Sequence, residues 1–338
     1  MRKIYALTTQ EIQQLFDSFT NRKILIIGDV MIDSYLLGKV ERISPEAPVP
    51  VVTWQDQENR LGGAANVALN IQALGANATL CAVTGDDERA DAFQELMQKR
   101  QLAYTGIMRD SDRMTTIKTR VISGNQQLLR VDRENDHYLS VTAEGAFLRN
   151  ILGMLNETRF DAIIFQDYDK GSITPAVIKE VIAAAAKKQI PVLVDPKKRN
   201  FTAYKGATLF KPNFKELKEG LKVDLDKSNP DALAQAVKPL LTNWNLEQVM
   251  VTLSEKGVFI ANPNEQHQIP AEVRDIADVS GAGDTVISVA GLCLASGMAS
   301  RDIAWVSNIA GGLVCERVGV VPVNRQELLN ECLQLAGR

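Results

Sequence analysis

The amino-acid sequence predicts an α/β fold whose mainly parallel central sheet is covered by helices on both faces, together with a second, smaller sheet. Short apolar runs alternate along the chain with longer helical patterns, which is the order of β-α-β units. Two segments, 34–60 and 111–134, instead carry β-prone runs with no helical pattern between them. We therefore expect a single domain over residues 1–338, in which these two segments form a small sheet that covers the strand ends as a lid.

The strands of the central sheet are predicted from five apolar runs, at 23–28, 161–165, 191–195, 207–211 and 248–252. Most of these runs end in a turn residue or a polar residue. In an open parallel sheet, ligands gather at the carboxyl ends of the strands. The polar residues at which we expect chemistry are therefore Asp29, Asp167, Asp195, Asn213 and Ser254.

Composition and charge exclude several classes of protein. The chain has 338 residues, a net charge of −3 and a pI near 5.6, so it offers no basic surface for nucleic acid. No apolar run approaches the roughly 20 residues that span a bilayer, and the N-terminal stretch lacks the apolar core of a signal peptide. We expect a cytoplasmic protein that does not bind membranes. Its cysteines form no C-x-x-C pair and are expected to be reduced: Cys81, Cys293, Cys315 and Cys332.

The most informative segment is 278–285, Asp-Val-Ser-Gly-Ala-Gly-Asp-Thr, which leads into an apolar helical stretch. Gly281 and Gly283 flank Ala282 and allow a tight turn whose N–H groups, with the positive end of the next helix, would bind an anion. A carboxylate at Asp284, beside that anion, is suited to taking a proton from an attacking hydroxyl. The alternative for a Gly-x-Gly sequence alone is a tight loop–helix junction. The full pattern favours phosphoryl transfer to an alcohol.

A second glycine-rich helix start lies at Gly62, Gly63 and Asn66, for which a close-packed helix start is an equally good local interpretation. The chain contains no G-x-x-x-x-G-K-[ST] motif, so a P-loop kinase is excluded. It also lacks the G-x-G-x-x-G sequence after the first strand, which argues against an NAD-dependent oxidoreductase.

Segments 278–285 and 62–66 resemble the C-terminal and N-terminal signatures of the ribokinase-like sugar kinases, or PfkB family. The resemblance implies a ribokinase-like three-layer α/β/α domain with a small β-sheet lid, through which members often dimerise, so we expect a homodimer. It implies that Asp284 is the catalytic base and that the backbone of 281–283 stabilises the transferring phosphate. ATP is the implied co-substrate and Mg²⁺ the implied metal, and a monovalent cation near Asp278 and Ser280 is left open.

The same resemblance assigns further binding residues. Asp33, and by extension Asp29, would accept hydrogen bonds from sugar hydroxyls, and Asn66 with the Gly62–Gly63 backbone would face the sugar. Asn213 and Glu216 match the Asn-x-x-Glu motif that positions magnesium and phosphate largely through water, although an isolated motif of this kind is more often a helix start. The nucleotide would contact Asn213, Glu216, Thr252, Ser254, Gly257, Gly281, Gly283 and Asn308.

A finer resemblance, covering nearly the whole chain, is to the kinases of D-glycero-β-D-manno-heptose 7-phosphate. It is carried by segments 28–35, 42–51, 118–120, 125–132, 167–171 and 195–197. Lys118, Arg120 and Arg130 would concentrate positive charge in and beside the lid, where a substrate phosphate needs neutralising. The alternative is a solvated charged face. The other substrate-binding residues implied are Gln127, Lys170, Asp195 and Lys197.

Other functions remain open at this point. Ala64 stands where ribokinase tends to have a lysine, which argues against plain ribose. A kinase of another sugar, sugar phosphate or nucleoside would share the fold. A non-catalytic nucleotide- or sugar-binding regulator would not need Asp284. The chain has only two histidines, His137 and His267, and no H-x-G-H motif, so a nucleotidyltransferase activity is not expected.

Overall fold

The computed structural model describes residues 7–124 and 126–337. Asn125, which begins one of the quoted motifs, and the first six residues lie outside the described residues. The helices are α1 (Thr9–Phe19), α2 (Ala64–Ala73), α3 (Glu88–Lys99), α4 (Val141–Glu157), α5 (Pro175–Lys188), α6 (Phe214–Leu221), α7 (Pro230–Asn243), α8 (Ala282–Ala295), α9 (Ser300–Cys315) and α10 (Arg325–Ala336).

The strands are β1 (Lys23–Gly28), β2 (Val30–Ile43), β3 (Pro50–Gly63), β4 (Asn77–Gly85), β5 (Ile107–Asp110), β6 (Ile117–Ser123), β7 (Gln126–Arg133), β8 (Ala162–Gln166), β9 (Val192–Asp195), β10 (Leu209–Phe210), β11 (Gln248–Thr252), β12 (Val258–Ala261) and β13 (Gln266–Ile269). Within the described residues they form two sheets. The larger has nine strands in the order β13-β12-β11-β10-β9-β8-β1-β4-β5. From β11 to β5 all neighbouring strands are parallel, whereas β12 and β13 are antiparallel additions at one edge.

Helices cover both faces of the larger sheet, because successive side chains of its strands point to opposite sides. In β1, Ile24 and Ile26 pack in the hydrophobic cluster that includes residues of α1, α2, α8, α9 and α10. Leu25 and Ile27 pack in the other cluster, which includes residues of α4, α5 and α7. The predicted three-layer α/β/α architecture with a small second sheet is confirmed.

The smaller sheet has the order β3-β2-β6-β7. Strand β2 pairs with β3 in antiparallel and with β6 in parallel orientation, and β6 pairs with β7 in antiparallel orientation. Its strands begin at Val30 and end at Gly63 in the first segment, and run from Ile117 to Arg133 in the second. This sheet, which was predicted to act as a lid, thus starts closer to β1 than segment 34–60 suggested, so Asp33 lies on one of its strands.

Two further observations concern classes of protein. In the part of the chain that the structure describes, no helix is both long and apolar enough to cross a membrane. The four cysteines are buried and free, as expected.

Candidate active site

The candidate active site lies where the carboxyl ends of the central strands meet the start of α8 and the inner end of the lid. Two cavities share this region and have residues Thr252, Ser254, Val279 and Gly283 in common. The first, of about 440 Å³, is lined by charged side chains and by Asp284. The second, of about 550 Å³, has mainly apolar walls. Their shapes and linings suit a polyphosphate and the base of a nucleotide.

Asp284 is the centre of the first cavity. It lies in the first turn of α8 and is 3% exposed. The Asn66 amide donates a hydrogen bond to Oδ2 at 2.8 Å, and the Gln166 amide and the Tyr168 hydroxyl donate to Oδ1 at 3.0 and 2.7 Å. The carboxylate is therefore held in one orientation by uncharged donors from two other elements.

Burial raises the pKa of Asp284 to about 7. The hydrogen bonds from Asn66 and Tyr168 and the positive charge of Lys211 act in the opposite direction, while the negative charge of Asp195 raises the pKa further. A base with a pKa near the working pH is ionised often enough to accept a proton and basic enough to hold it. Asp284 is thus electrostatically suited to general-base catalysis.

The start of α8, where segment 278–285 predicts an anion site, faces the first cavity. Gly281, the N-cap, has φ 81°, and a Cβ there would approach the Asn66 Nδ2 atom to 2.9 Å. Because Gly281 has no side chain, the helix N-terminus faces the cavity with no side-chain cap. Lys211 adds a full positive charge. Its side chain is 2% exposed, and Nζ lies 3.0 Å from Asp195 Oδ2.

Asn213 and Glu216 also line the first cavity. They form a capping box for α6, in which the Glu216 N–H donates to Asn213 Oδ1 and the Asn213 N–H donates to Glu216 Oε2, both at 2.8 Å. Glu216 Oε1 forms an ion pair with Lys197, which lies at the same wall. The motif is therefore a helix start, and it also presents a carboxylate to the cavity.

The donor set fits a hydrated Mg²⁺. Among residues 7–124 and 126–337, no group of three or more His, Cys, Asp or Glu side chains could hold a metal. Mg²⁺ keeps several waters and is usually bound by one or two carboxylates together with substrate phosphates. The Glu216 carboxylate, which lines the charged first cavity, is compatible with that habit.

The four residues assigned to the nucleotide alone, Thr252, Ser254, Gly257 and Asn308, all line the second cavity. The Asn308 amide donates a hydrogen bond to the Pro270 carbonyl at 2.8 Å and so stabilises the wall of the second cavity. The structure brings these residues together from β11, the turn that follows it, and α9.

Among the residues predicted to bind the sugar, Asp33 is 4% exposed and accepts a hydrogen bond from Arg120 at 2.5 Å. The adjacent Gly62 has to be glycine, since a Cβ there would come within 2.1 Å of Asp33 Oδ2. Gly63, the N-cap of α2, has φ 63°. Asn66 is fully buried, and its amide is directed to Asp284.

The basic residues of the lid lie in two neighbouring rows across the sheet. One row contains Asp33, Lys118 and Asp132 as direct partners, and the next contains Tyr35, Arg120 and Arg130. Arg120 and Arg130 thus lie directly opposite each other, an arrangement of like charges that destabilises a sheet unless an anion compensates. Each is paired with an aspartate of the neighbouring row, Arg120 with Asp33 and Arg130 with Asp132 at 2.9 Å. The Arg130 side chain is 50% exposed.

Three further residues were predicted to bind the substrate: Lys170, Gln127 and Asp29. Lys170 Nζ lies 2.8 Å from Glu134, beside Lys118, which is 3.6 Å from the same glutamate. Gln127 is exposed and pairs with Ile122, beyond the Arg120–Arg130 pair. Asp29 is 2% exposed and accepts its hydrogen bonds from the segment 168–172 rather than facing the cavity.

Three residues of the site were not assigned from the sequence: Gln166, Tyr168 and Lys211. Gln166 is the last residue of an apolar strand and Lys211 directly follows one. A polar residue in such a position is a signal that could have been used, since strand ends are where ligands gather. Tyr168 gave no such signal, because its hydroxyl reaches Asp284 only through the fold.

A family model described as "pfkB family carbohydrate kinase" matches residues 21–326. "Bifunctional protein HldE" of Citrifermentans bemidjiense is 38% identical over 324 residues, which cover 95% of this chain and 66% of that protein. The protein of the same name from Geobacter sulfurreducens is 40% identical over 326 residues, covering 95% and 65%. The chain thus spans just under two thirds of the length of these curated relatives.

Solved structures with the same fold include Escherichia coli phosphofructokinase-2 in complex with potassium, with a TM-score of 0.77 at 18% identity over 94% of this chain and 99% of that one. A ribokinase from Thermotoga maritima has a TM-score of 0.67 at 19% identity, over 93% and 99% of the two chains. At these identities the likeness concerns the fold alone.

Proposed function

Because the chain belongs to the pfkB family of carbohydrate kinases, we propose that it transfers the γ-phosphoryl group of ATP to the anomeric hydroxyl of D-glycero-β-D-manno-heptose 7-phosphate. The product would be heptose 1,7-bisphosphate, a precursor of ADP-heptose and hence of lipopolysaccharide. The observation that carries the choice of substrate is the directly opposed pair Arg120 and Arg130 on the lid. A phosphate on the far end of the sugar would give these two arginines a shared anionic partner in addition to Asp33 and Asp132.

The reaction follows from the groups around the first cavity. Asp284 takes the proton of the anomeric hydroxyl, whose oxygen forms a bond to the γ-phosphorus while the bond from that phosphorus to the β,γ-bridging oxygen breaks and ADP leaves. The N–H groups at the start of α8 and the buried Lys211 stabilise the charge on the transferring group. Asp33 and the lid hold the sugar against Asp284, which supplies the orientation that the reaction needs.

Asn213 and Glu216 would hold a hydrated Mg²⁺. Such an ion would supply positive charge that neutralises the phosphates during the transfer. The capping box fixes the position of the Glu216 carboxylate, and Lys197 is its neighbour at the cavity wall.

We expect activity to disappear with a chelator and to return with Mg²⁺. In Glu216→Ala, the Mg²⁺ concentration for half-maximal rate is expected to rise about tenfold or more, the usual effect of removing a group that orients a metal. Glu219→Ala is the matched control, because Glu219 lies on the same helix and its ion-pair partner, within the described part of the chain, is the exposed Lys215. An unchanged Mg²⁺ dependence in Glu216→Ala would remove this residue from the metal site.

A homodimer joined through the lid is the proposed assembly. Large apolar side chains of the lid sheet and its connecting turn are more than half exposed: Ile43, Val49, Trp54, Leu129 and Val131. A patch of this kind on a sheet that the core leaves uncovered marks an interface between copies.

Light scattering is expected to give about twice the chain mass of 37.1 kDa at micromolar concentration. Trp54→Asp should convert the dimer to a monomer, because it replaces the most exposed of these apolar side chains with a charge that the proposed interface would bury. Val141→Asp is the control, since Val141 is 88% exposed but lies at the start of α4, outside the lid. A wild-type monomer, or a Trp54→Asp dimer as stable as the wild type, would rule out this interface.

The substrate is tested by a mass-spectrometric screen of products over a panel of sugars and sugar phosphates with ATP. We expect the heptose 7-phosphate to be phosphorylated with the highest kcat/KM. A higher kcat/KM for an unphosphorylated sugar or a nucleoside would favour another kinase of the same fold. The absence of any phosphorylated product would favour a binding protein.

A further inference from the structure

Tyr168 and Gln166 both donate hydrogen bonds to the same oxygen of the Asp284 carboxylate, Oδ1. We propose that Tyr168 is a positioning residue of this kinase, which together with Gln166 fills Oδ1 of Asp284 so that the substrate proton is taken up by Oδ2. The inference rests on the proposed function in one respect, namely that Asp284 is the base. Neither the family match nor the names of the relatives assign a role to Tyr168.

The count of hydrogen bonds at the carboxylate carries the inference. Each carboxylate oxygen accepts about two hydrogen bonds. Oδ1 receives two, from the Tyr168 hydroxyl at 2.7 Å and the Gln166 amide at 3.0 Å. Oδ2 receives one, from Asn66 at 2.8 Å. Among the described residues, the position that these donors leave open on the carboxylate therefore lies on Oδ2.

Tyr168 can act only as a donor here. Burial and the neighbouring Asp284 carboxylate hold the pKa of Tyr168 well above its ordinary value, so its hydroxyl stays protonated at any working pH. Its ring also has a cation–π contact, because Lys197 Nζ lies over the ring at 5.6 Å from the centroid. The hydroxyl is therefore held on Oδ1 before and after Asp284 receives the proton.

The backbone around Tyr168 is held by Asp29. The buried carboxylate of Asp29 accepts from the N–H groups of Tyr168, Lys170 and Ser172, at 2.9, 3.1 and 3.2 Å, and from the Ser172 hydroxyl. Gly171, inside this turn, has φ 88°, and a Cβ there would meet the His137 carbonyl oxygen at 1.9 Å. Asp29 thus fixes the turn that carries Tyr168. This explains why the carboxylate at the end of β1 makes its hydrogen bonds to the protein itself.

The charged groups around Asp284 come from the carboxyl ends of two neighbouring strands, β9 and β10. Asp195, at the end of β9, raises the pKa of Asp284, and Lys211, after β10, lowers it. Lys197, after β9, also interacts with the Asp284 charge. Among the neutral donors, the Tyr168 hydroxyl stabilises the ionised form and so lowers the pKa of Asp284. Removing that hydroxyl should therefore make Asp284 harder to ionise.

The test compares the pH dependence of wild type and Tyr168→Phe. Asp284 is titrated by NMR with ¹³C-labelled aspartate in the enzyme without substrate, its signal being identified by its loss in Asp284→Asn. In Tyr168→Phe the pKa is expected to rise by about one to two pH units, because a hydrogen bond to a charged group is worth roughly ten- to hundredfold in proton affinity. The acid limb of kcat/KM should move upward by the same amount, and activity lost at pH 7 should largely return near pH 9.

Tyr138→Phe is the matched control. The Tyr138 hydroxyl donates to Asn200 and does not contact Asp284, so its removal should leave the acid limb where it is. A second variant, with 3-fluorotyrosine at position 168, makes the hydroxyl a stronger donor and should move the Asp284 pKa downward. An Asp284 pKa unchanged in both position-168 variants would overturn the proposal, as would a loss of activity in Tyr168→Phe that is equal at all pH values. Because the titration needs no substrate, its failure is distinct from a failure of the proposed kinase activity.

Discussion

Replacing Asp284 with asparagine is expected to lower kcat by about 10²–10⁴, the usual contribution of a positioned general base. The amide keeps the size of the side chain but cannot accept the proton of the sugar hydroxyl. ATP binding should be nearly unchanged, because the nucleotide cavity is lined mainly by other residues. The measurement is steady-state kinetics with ATP and the heptose 7-phosphate, together with direct binding of ATP.

Asp302→Asn is the matched control for this variant. Asp302 is also a buried aspartate in the first turn of a helix, α9, and burial likewise raises the pKa of its carboxyl. It lies outside both cavities, so kcat should be close to that of the wild type. If Asp284→Asn retained more than half of the wild-type kcat, the base would have to be another residue.

The same substitution has an expected effect on stability. An aspartate in an unfolded chain has a pKa of about 3.9, whereas burial raises the pKa of Asp284 to about 7 in the folded protein. Between these values the folded state binds more protons than the unfolded state, so this group makes stability fall as the pH rises from about 4 to about 7. The Asp284→Asn variant has no carboxyl group at this position and therefore does not lose stability in this way. Above pH 7 its thermal unfolding temperature should be at least as high as that of the wild type.

The second large effect concerns the phosphate that the substrate already carries. Removing this phosphate from the heptose should cost most of kcat/KM, because the energy of binding it at the lid helps to fix the reacting hydroxyl against Asp284. In Arg130→Ala, kcat/KM for the phosphorylated substrate should fall about tenfold to a hundredfold, corresponding to roughly 1.5–3 kcal/mol for a charge-assisted contact. The KM for ATP should hardly change.

Arg133→Ala is the control for Arg130→Ala. Both arginines lie on β7 with side chains about half exposed, and each is paired with an aspartate. They are three residues apart, so they point to opposite faces of the sheet. Arg120→Ala should have an effect at least as large as Arg130→Ala, but it also leaves the buried Asp33 without its ion-pair partner. Equal kcat/KM for heptose and heptose 7-phosphate in the wild type would favour a kinase of an unphosphorylated sugar.

Much of the fold was predictable because its signal is local. The apolar runs that gave β1 and β11 match the observed strands residue for residue, and Pro175 with Thr174 gives the start of α5. The antiparallel edge strands β12 and β13 were not identified. β13, Gln266–Ile269, is polar and exposed at its start, so its sequence does not resemble that of a buried strand.

The site was predictable to the extent that a motif carries it. The glycine turn and Asp284 follow from a continuous segment, whereas the partners of Asp284 come from α2 and from the end of β8, more than 100 residues away in sequence. The hydrogen bonds that Asp29 accepts likewise come from the turn at 168–172, which Asp29 contacts only in the folded chain. Residue type indicated that these positions are polar, and the fold determined what they contact.

The most direct test of the account is to follow the reaction of the purified protein with ATP, Mg²⁺ and D-glycero-β-D-manno-heptose 7-phosphate by ³¹P NMR. The account predicts stoichiometric formation of ADP and a new sugar phosphate signal that is coupled to the anomeric proton, while the signal of the 7-phosphate persists. Asp284→Asn should give neither product on the same time scale. A new phosphate coupled to a different sugar proton, or ATP consumption without a new sugar phosphate, would contradict it.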